Sequence, residues 1–114
     1  MRGILIDPWF KAIREVEVDQ GIDAMYKIMS HPLGPKVDIF TMGMNWPNGD
    51  VLYVDDEGFL KPGGRLFLID RMDRQPLVGC GLILGSDAEG NSVDAKSTLV
   101  EIETKVSWTN KVTR

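Results

Sequence analysis

Three consecutive carboxylates, Asp55, Asp56 and Glu57, stand directly before Gly58 in the segment YVDDEGFLKPGG. Clustered carboxylates bind cations or transfer protons when they converge on one point. Successive side chains of a strand point to opposite faces, so these three converge only if the backbone turns. Their spacing also differs from that of an EF-hand calcium loop, which places ligands at alternate positions and a glutamate at position twelve. We therefore expect a structural turn, with Gly58 supplying a positive φ.

A second acidic segment, DAEGNSVD, places Asp87, Glu89 and Asn91 at alternate positions. It lacks the central glycine and the late glutamate of a calcium loop. We interpret it as a loop or a hairpin tip, and we assign no metal ligand in either acidic segment.

Cys80 and His31 are the single cysteine and the single histidine of the chain. A thiolate and an imidazole can form a nucleophile–base pair. A lone thiol between two glycines of an apolar run is more often buried as a small hydrophobic group, and we favour that interpretation. One cysteine excludes an internal disulfide, and one residue of each type excludes a structural zinc site. No catalytic residue is assigned.

The run VGCGLILG carries Gly79, Gly81 and Gly85 at a spacing that is close to a nucleotide-binding fingerprint. That fingerprint requires the glycines to follow a strand and to open a helix. Here they lie inside a strand-like run that an acidic loop follows. Close packing of the backbone, or a bulge, explains them better.

Aromatic and basic side chains near loop tips are the remaining candidates for recognition. Aromatic side chains at tips stack on bases or anchor a partner protein, and they can equally cover the open end of a sheet. Arginines bind phosphate through two parallel hydrogen bonds, although those near Asp70 and Asp73 also fit a salt-bridged loop. The candidate residues for ligand or partner binding are Trp9, Phe10, Trp46, Arg65, Arg71 and Arg74.

The elements that must position these side chains are mostly strands. Alternating or apolar runs bounded by turn residues predict a hairpin of residues 2–7 and 12–18 and further strands in KVDIFTM, VLYV, GGRLFLID and VGCGLILG. The pair Asn48-Gly49 predicts a hairpin, because both residues tolerate positive φ. Helical spacing of apolar residues predicts one main helix at about residues 20–30, which ends before Pro32.

The C-terminal segment supports two interpretations. VEIETKVSW alternates as a strand does, whereas Thr98 followed by Glu101 fits a helical capping box. We expect a short helix first and a strand from about Lys105. The predicted fold is α+β, a small and mostly antiparallel sheet with one main helix packed on it.

Size and composition indicate one soluble domain spanning residues 1–114. The chain is 43% hydrophobic, and its net charge of −4 opposes non-specific binding of nucleic acid. No apolar run reaches the length of about 20 residues that a membrane span needs. The first residues lack the pattern of a secretory signal, so we expect a cytoplasmic protein.

Three segments, ILIDP, VLYVDDEGFLKP and PLVGCGLILGSDAEG, together resemble a family of short phage and bacterial proteins of unknown function. The resemblance covers residues 3–90 in the right order, whereas the NWP segment and the basic C-terminus depart from the pattern. It implies an origin in a phage or mobile element, the cytoplasm of a bacterial host as location, and no catalytic residues to carry over.

Three functional hypotheses follow from the residues and the resemblance. The first is a non-enzymatic accessory protein that binds a host protein or a defence complex. The second is a module that sequesters a small nucleotide or another phosphorylated metabolite, using an arginine together with an aromatic side chain. An enzyme with an unrecognised site is the third and weakest hypothesis. We assign no cofactor, and a homodimer through an exposed edge strand is consistent with the pattern.

Overall fold

The computed structural model describes residues 1–69 and 76–109. A 3₁₀ turn occupies Gly58–Leu60. The strands and helices, in chain order, are β1 (Arg2–Asp7), β2 (Ala12–Glu17), α1 (Ile22–Met29), β3 (Phe40–Asn45), β4 (Asp50–Asp55), β5 (Leu66–Ile69), β6 (Leu77–Val78), β7 (Gly81–Ser86), β8 (Ser92–Val93), α2 (Leu99–Glu103) and β9 (Val106–Thr109). The protein is thus mostly antiparallel strand with a small helical part, an α+β arrangement.

The main sheet has the strand order β2-β1-β7-β4-β3, and every neighbouring pair is antiparallel. The short β8 pairs with the end of β7. β1 and β7 are buried almost throughout, as expected for strands that are covered on both faces. The predicted hairpin of residues 2–7 and 12–18 is confirmed as β1 and β2.

The helix α1 covers one face of this sheet. Met25 and Met29 of α1 pack in a buried cluster with Leu5 of β1 and Leu82 and Leu84 of β7. The helix predicted at about residues 20–30 is confirmed. It begins two residues later and ends one residue earlier than predicted. Neither helix in the described part of the chain is long and apolar enough to cross a membrane.

A second sheet covers the opposite face, and the prediction of a single sheet is wrong in this respect. Its strand order is β6-β5-β9. Phe67 of β5 and Ile102 of α2 are fully buried in a cluster with Ile4, Leu52 and Ile83 of the main sheet. The main sheet therefore has α1 on one side and a small sheet with α2 on the other.

The run VGCGLILG is two strands rather than the predicted single strand. Gly79 has a φ of 87° and separates β6, in the second sheet, from β7, in the main sheet. A Cβ on Gly81 would lie 2.9 Å from side-chain atoms of both Leu52 and Phe67. The preference for close packing over a nucleotide fingerprint is thus supported, because the next element after these glycines is the strand β8 and not a helix.

The β3–β4 hairpin forms as predicted, but through a different turn. Gly49 alone has a positive φ, of 95°, and its N–H donates to the Trp46 carbonyl. Pro47, Asn48 and Gly49 thus form a three-residue loop with glycine in the left-handed position. The strand predicted from KVDIFTM also begins later, at Phe40.

The C-terminal segment forms a helix and then a strand, as expected. The Thr98 hydroxyl accepts a hydrogen bond from the Glu101 N–H, and the Glu101 carboxylate accepts one from the Thr98 N–H, both at 3.2 Å. This capping box opens α2, and β9 begins at Val106.

Candidate functional site

The acidic turn after β4 is held together by its own side chains. Asp55 Oδ1 accepts the Glu57 N–H at 2.9 Å, and Asp55 Oδ2 lies 2.9 Å from Lys61 Nζ. Gly58 is not among the residues with positive φ, so the expectation for it is wrong. Instead, a Cβ on Gly58 would lie 3.0 Å from the Val78 Cβ, which explains why glycine fits there.

The second acidic segment forms the turn between β7 and β8. Asp87 Oδ1 accepts the backbone N–H groups of Glu89 and Asn91 at 3.0 and 2.8 Å. The Asn91 backbone, then the other N–H groups of the turn, hold the pKa of Asp87 below its ordinary value. Across residues 1–69 and 76–109, no three His, Cys, Asp or Glu side chains cluster in a way that could hold a metal ion.

The tip of the β1–β2 hairpin is fixed by a buried carboxylate, Asp7. Its Oδ1 accepts the N–H groups of Trp9 and Phe10 at 3.0 and 3.1 Å. Its Oδ2 lies 2.9 Å from Arg14 Nη1 and 3.0 Å from His31 Nε2. Burial alone would raise the pKa of Asp7, but the hydrogen bonds from Arg14, Phe10 and His31 outweigh it and lower that pKa.

Both ring nitrogens of His31 have hydrogen-bond partners, and its ring contacts two aromatic rings. Its Nδ1 accepts the Leu33 N–H at 3.0 Å, which leaves the proton on Nε2 to be donated to Asp7. The Trp9 ring stacks on it at 4.6 Å, and the Phe10 ring meets it edge-on at 4.8 Å. A general base needs a free nitrogen within reach of its substrate, so this histidine orders the tip instead.

Cys80 is also unsuited to catalysis. Its side chain is buried in the cluster that contains α1. Burial, followed by the nearby charge of Asp7, raises the pKa of the Cys80 thiol to about 12. Because the thiolate is the nucleophile, a thiol with this pKa is inert near neutral pH. The structure therefore supports the buried-thiol interpretation over a Cys80–His31 pair.

A groove of about 500 Å³ lies between the hairpin tip and the second sheet. Its size is within the range of small-molecule sites. We call it the tip groove, and its lining residues are Pro8, Trp9 and Lys11 from the tip and Arg65, Leu66, Trp108 and Thr109 from β5, β9 and the residue before β5.

Two cationic side chains of the tip groove have no counter-charge among residues 1–69 and 76–109. Neither Lys11 nor Arg65 makes a side-chain hydrogen bond or an ion pair with any other residue among 1–69 and 76–109, and both are exposed. Lys11 also has a φ of 52°, and in the described part of the chain it is the only residue other than glycine with a positive φ. This left-handed backbone conformation costs about 1–2 kcal/mol of conformational free energy for a residue with a Cβ.

Two half-buried indoles accompany these cations. Trp9 is held by its stacking on His31, and its ring also lies against the backbone of Gly34 so closely that no side chain would fit there. Trp108 lies opposite Phe67 in the β5–β9 pair and packs against the core. The tip groove thus combines positive charge with aromatic surface.

The structure brings together two of the six predicted binding residues, Trp9 and Arg65. Phe10 is 61% exposed beside the groove, next to His31. Trp46 lies elsewhere, 8% exposed within the core, and its Nε1 has no hydrogen-bond partner among the described residues. Arg71 and Arg74 lie outside the described residues.

Sequence reasoning missed Lys11 and Asp7 and did not include Trp108 in the binding set. Lys11 had a detectable signal, because it closes the four-residue segment between two predicted strands, where glycine or asparagine is usual. Asp7 could have been found as the aspartate that ends a strand and precedes a turn. No signal in the sequence pointed to Trp108, since its position in the groove depends on the pairing of β9 with β5.

Comparisons with protein-family models, with curated proteins and with solved structures found no match for this chain.

Proposed function

We propose that the protein is a non-enzymatic binding module and that a small phosphorylated molecule occupies the tip groove. The observation that carries this proposal is the convergence of Lys11 and Arg65, without counter-charges among the described residues, on one concave surface. A guanidinium binds phosphate oxygens through paired hydrogen bonds, and an ammonium binds them as a point charge.

The charge of the rest of the molecule strengthens this assignment. The chain has a net charge of −4, so a groove that holds two cations without a partner among the described residues departs from the overall charge. A cleft lined by charges of one sign concentrates ligands of the opposite sign. A small dianion fits such a groove better than a nucleic acid, whose extended backbone would also meet the acidic surface.

The lining of the groove supports binding rather than catalysis. It contains no histidine, cysteine, aspartate or glutamate among the described residues. The buried groups with perturbed pKa, Asp7 and Cys80, act in packing and turn formation. The resemblance to phage and bacterial proteins implies a bacterial host. In such a host, the module would lower the free concentration of a metabolite.

Isothermal titration with inorganic pyrophosphate and with ribose 5-phosphate tests the proposal. We expect both to bind in the millimolar range or tighter, and we expect Arg65→Ala to weaken binding at least tenfold, because it removes the paired hydrogen bonds. Lys27→Ala is the matched control, since it removes an exposed lysine of α1 outside the tip groove. Absence of binding, or an equal loss in both variants, would overturn the proposal.

Binding of a host protein is a second candidate, and one observation favours it. Phe10 and Leu33 are 61% and 64% exposed, and the Phe10 ring and the Leu33 backbone N–H both contact His31, so two exposed apolar residues flank this histidine. Exposed apolar residues that cluster can anchor a partner. If they do, Leu33→Asp abolishes capture of that host protein and leaves pyrophosphate binding intact, whereas Arg65→Ala has the opposite pattern.

A further inference from the structure

The tip groove has two walls, and each wall offers one cation and one indole. The hairpin tip contributes Lys11 and Trp9. The second sheet contributes Arg65, just before β5, and Trp108 of β9. Charge and aromatic surface are therefore distributed over both sides of the groove, rather than separated into a phosphate pocket and an apolar pocket.

The aromatic part of this lining is not explained by an anion alone. A bare phosphate or a sugar phosphate would pair with Lys11 and Arg65 and leave the indoles in contact with water. The groove, at about 500 Å³, is also much larger than a phosphate group needs. An aromatic ring in the ligand would cover the indoles and fill the remaining space.

The indole of Trp9 is positioned before any ligand arrives. Asp7 Oδ1 accepts the backbone N–H of Trp9 at 3.0 Å, and the imidazole of His31 stacks on the indole with an angle of 16° between the planes. Arg14 and the Phe10 N–H bind the same carboxylate and complete the network. A preorganised aromatic surface loses little conformational entropy on binding, which favours stacking of a planar group.

We infer that the ligand of the tip groove is a nucleotide, whose base stacks on an indole and whose phosphates lie between Lys11 and Arg65. This inference rests on the function proposed above and narrows it to one ligand class. Stacking on an aromatic ring accepts any base, because every base has a π-face, so we expect weak selectivity among the four bases. The described lining offers mainly cations and rings, and Thr109 is its one hydroxyl side chain.

The test compares five probes by isothermal titration: AMP, ADP, adenosine, ribose 5-phosphate and phosphotyrosine. We expect AMP, which carries a single phosphate like ribose 5-phosphate, to bind about tenfold tighter than ribose 5-phosphate, the usual magnitude for one stacked base, and tighter than adenosine, which lacks the charge. CDP, GDP and UDP should bind within a few-fold of ADP.

The indole N–H signals in an NMR spectrum locate the ligand without any mutation. The chain has three tryptophans, and each gives one indole N–H signal. ADP should shift the signals of Trp9 and Trp108 and leave that of Trp46, which is buried away from the groove lining. Trp108→Phe, which keeps a ring for packing, should shrink the preference for AMP over ribose 5-phosphate.

The outcomes separate the two proposals. Equal affinity for AMP and ribose 5-phosphate, with a loss in Arg65→Ala, would overturn the nucleotide inference and keep the phosphate site. Tighter binding of phosphotyrosine than of ADP would also overturn it, in favour of a modified peptide. No binding of any phosphorylated probe would overturn both. A shift of the Trp46 signal alone would place the ligand outside the groove and contradict both assignments.

Discussion

At the scale of single residues, Lys11 has a backbone conformation that favours glycine and a side chain that glycine cannot supply. Its φ of 52° places it in the left-handed region, at the end of the β1–β2 loop. No described residue bonds to its ammonium. Bonds within the described part of the fold therefore do not account for lysine at this position, whereas the charged ligand proposed for the tip groove would account for it.

Substitution of this lysine should separate stability from binding. We expect Lys11→Gly to leave the free energy of unfolding unchanged or raise it by up to about 1 kcal/mol, because relief of the left-handed strain outweighs the added chain entropy. The same variant should weaken ADP binding. Urea denaturation and isothermal titration measure the two effects.

Lys27→Gly is the control with the same chemical change. Lys27 is exposed in the last turn of α1, where glycine costs about 1 kcal/mol relative to a good helix former. It should lower stability and leave binding unchanged. Lowered stability in both variants would show that the backbone of Lys11 is not strained.

Asp7 is the residue whose charge matters most for the hairpin tip. We expect Asp7→Asn to lower the free energy of unfolding by about 1.5–3 kcal/mol, since hydrogen bonds from Arg14 and His31 to a charged acceptor are lost. The variant keeps an oxygen for the turn N–H groups, so the hairpin should still form. Asp56→Asn, at an exposed position of the acidic turn, is the control and should change stability little.

The same carboxylate gives stability a defined dependence on pH. The folded-state pKa of Asp7 is below its ordinary value of 3.8, so the unfolded chain takes up the proton first as the pH falls. The stabilisation is complete above pH 3.8 and is lost as the pH falls through the folded-state pKa. The difference in stability between the wild type and Asp7→Asn should thus be constant from neutral pH to about 5 and shrink below 4. A constant difference down to strongly acid pH would contradict this assignment.

At the scale of elements, α2 depends on its capping box more than on its length. Five residues are too few to form a helix alone, so reciprocal bonds between Thr98 and Glu101 and the burial of Ile102 must hold it. This helix also directs the chain into β9, which carries Trp108. The cap therefore acts on the groove through the placement of β9.

Removal of the cap should measure that contribution. We expect Thr98→Ala to lower the free energy of unfolding by about 0.5–2 kcal/mol. Glu101→Ala should cost less, and the double variant should cost less than the sum, because both remove one motif. Glu103→Ala, exposed in the same helix, is the control for helix propensity. Additive losses in urea denaturation would contradict the reciprocal cap.

At the scale of the whole molecule, the two edges of the main sheet differ. The edge strand β2 carries Arg14, Glu15 and Glu17, and charges of this kind oppose pairing with another chain. The other edge strand, β3, has the sequence FTMGMN without a charge, and Met42 on it is 57% exposed. The homodimer considered from the sequence would therefore form through β3 rather than β2.

Sedimentation over a range of protein concentrations tests this expectation. Antiparallel pairing of two β3 strands brings no like charges together, so we expect a monomer–dimer equilibrium. Met42→Lys should shift it to the monomer. Val100→Lys, which changes an equally exposed apolar residue of α2, should leave it unchanged. A wild-type protein that stays monomeric at every concentration would contradict the role of β3.

The sequence by itself determined those features that depend on neighbours a few residues apart. The β1–β2 hairpin, α1, the Asn48-Gly49 hairpin and the helix–strand order of the C-terminal segment were all predicted, because periodicity, turn residues and caps act locally. The sequence also suggested Trp9 and Arg65 as binding candidates. It did not indicate that both line the same groove.

Only the tertiary structure decided how these elements combine. A single residue, Gly79, bends the chain so that β6 and β7 belong to different sheets. The sequence around it has the pattern of one continuous strand. The tip groove joins Lys11 to Arg65 and Trp108, which are far apart in the chain. Their meeting depends on which strands pair and which faces pack, and these are set by the burial of apolar surface across the whole chain rather than by any local pattern.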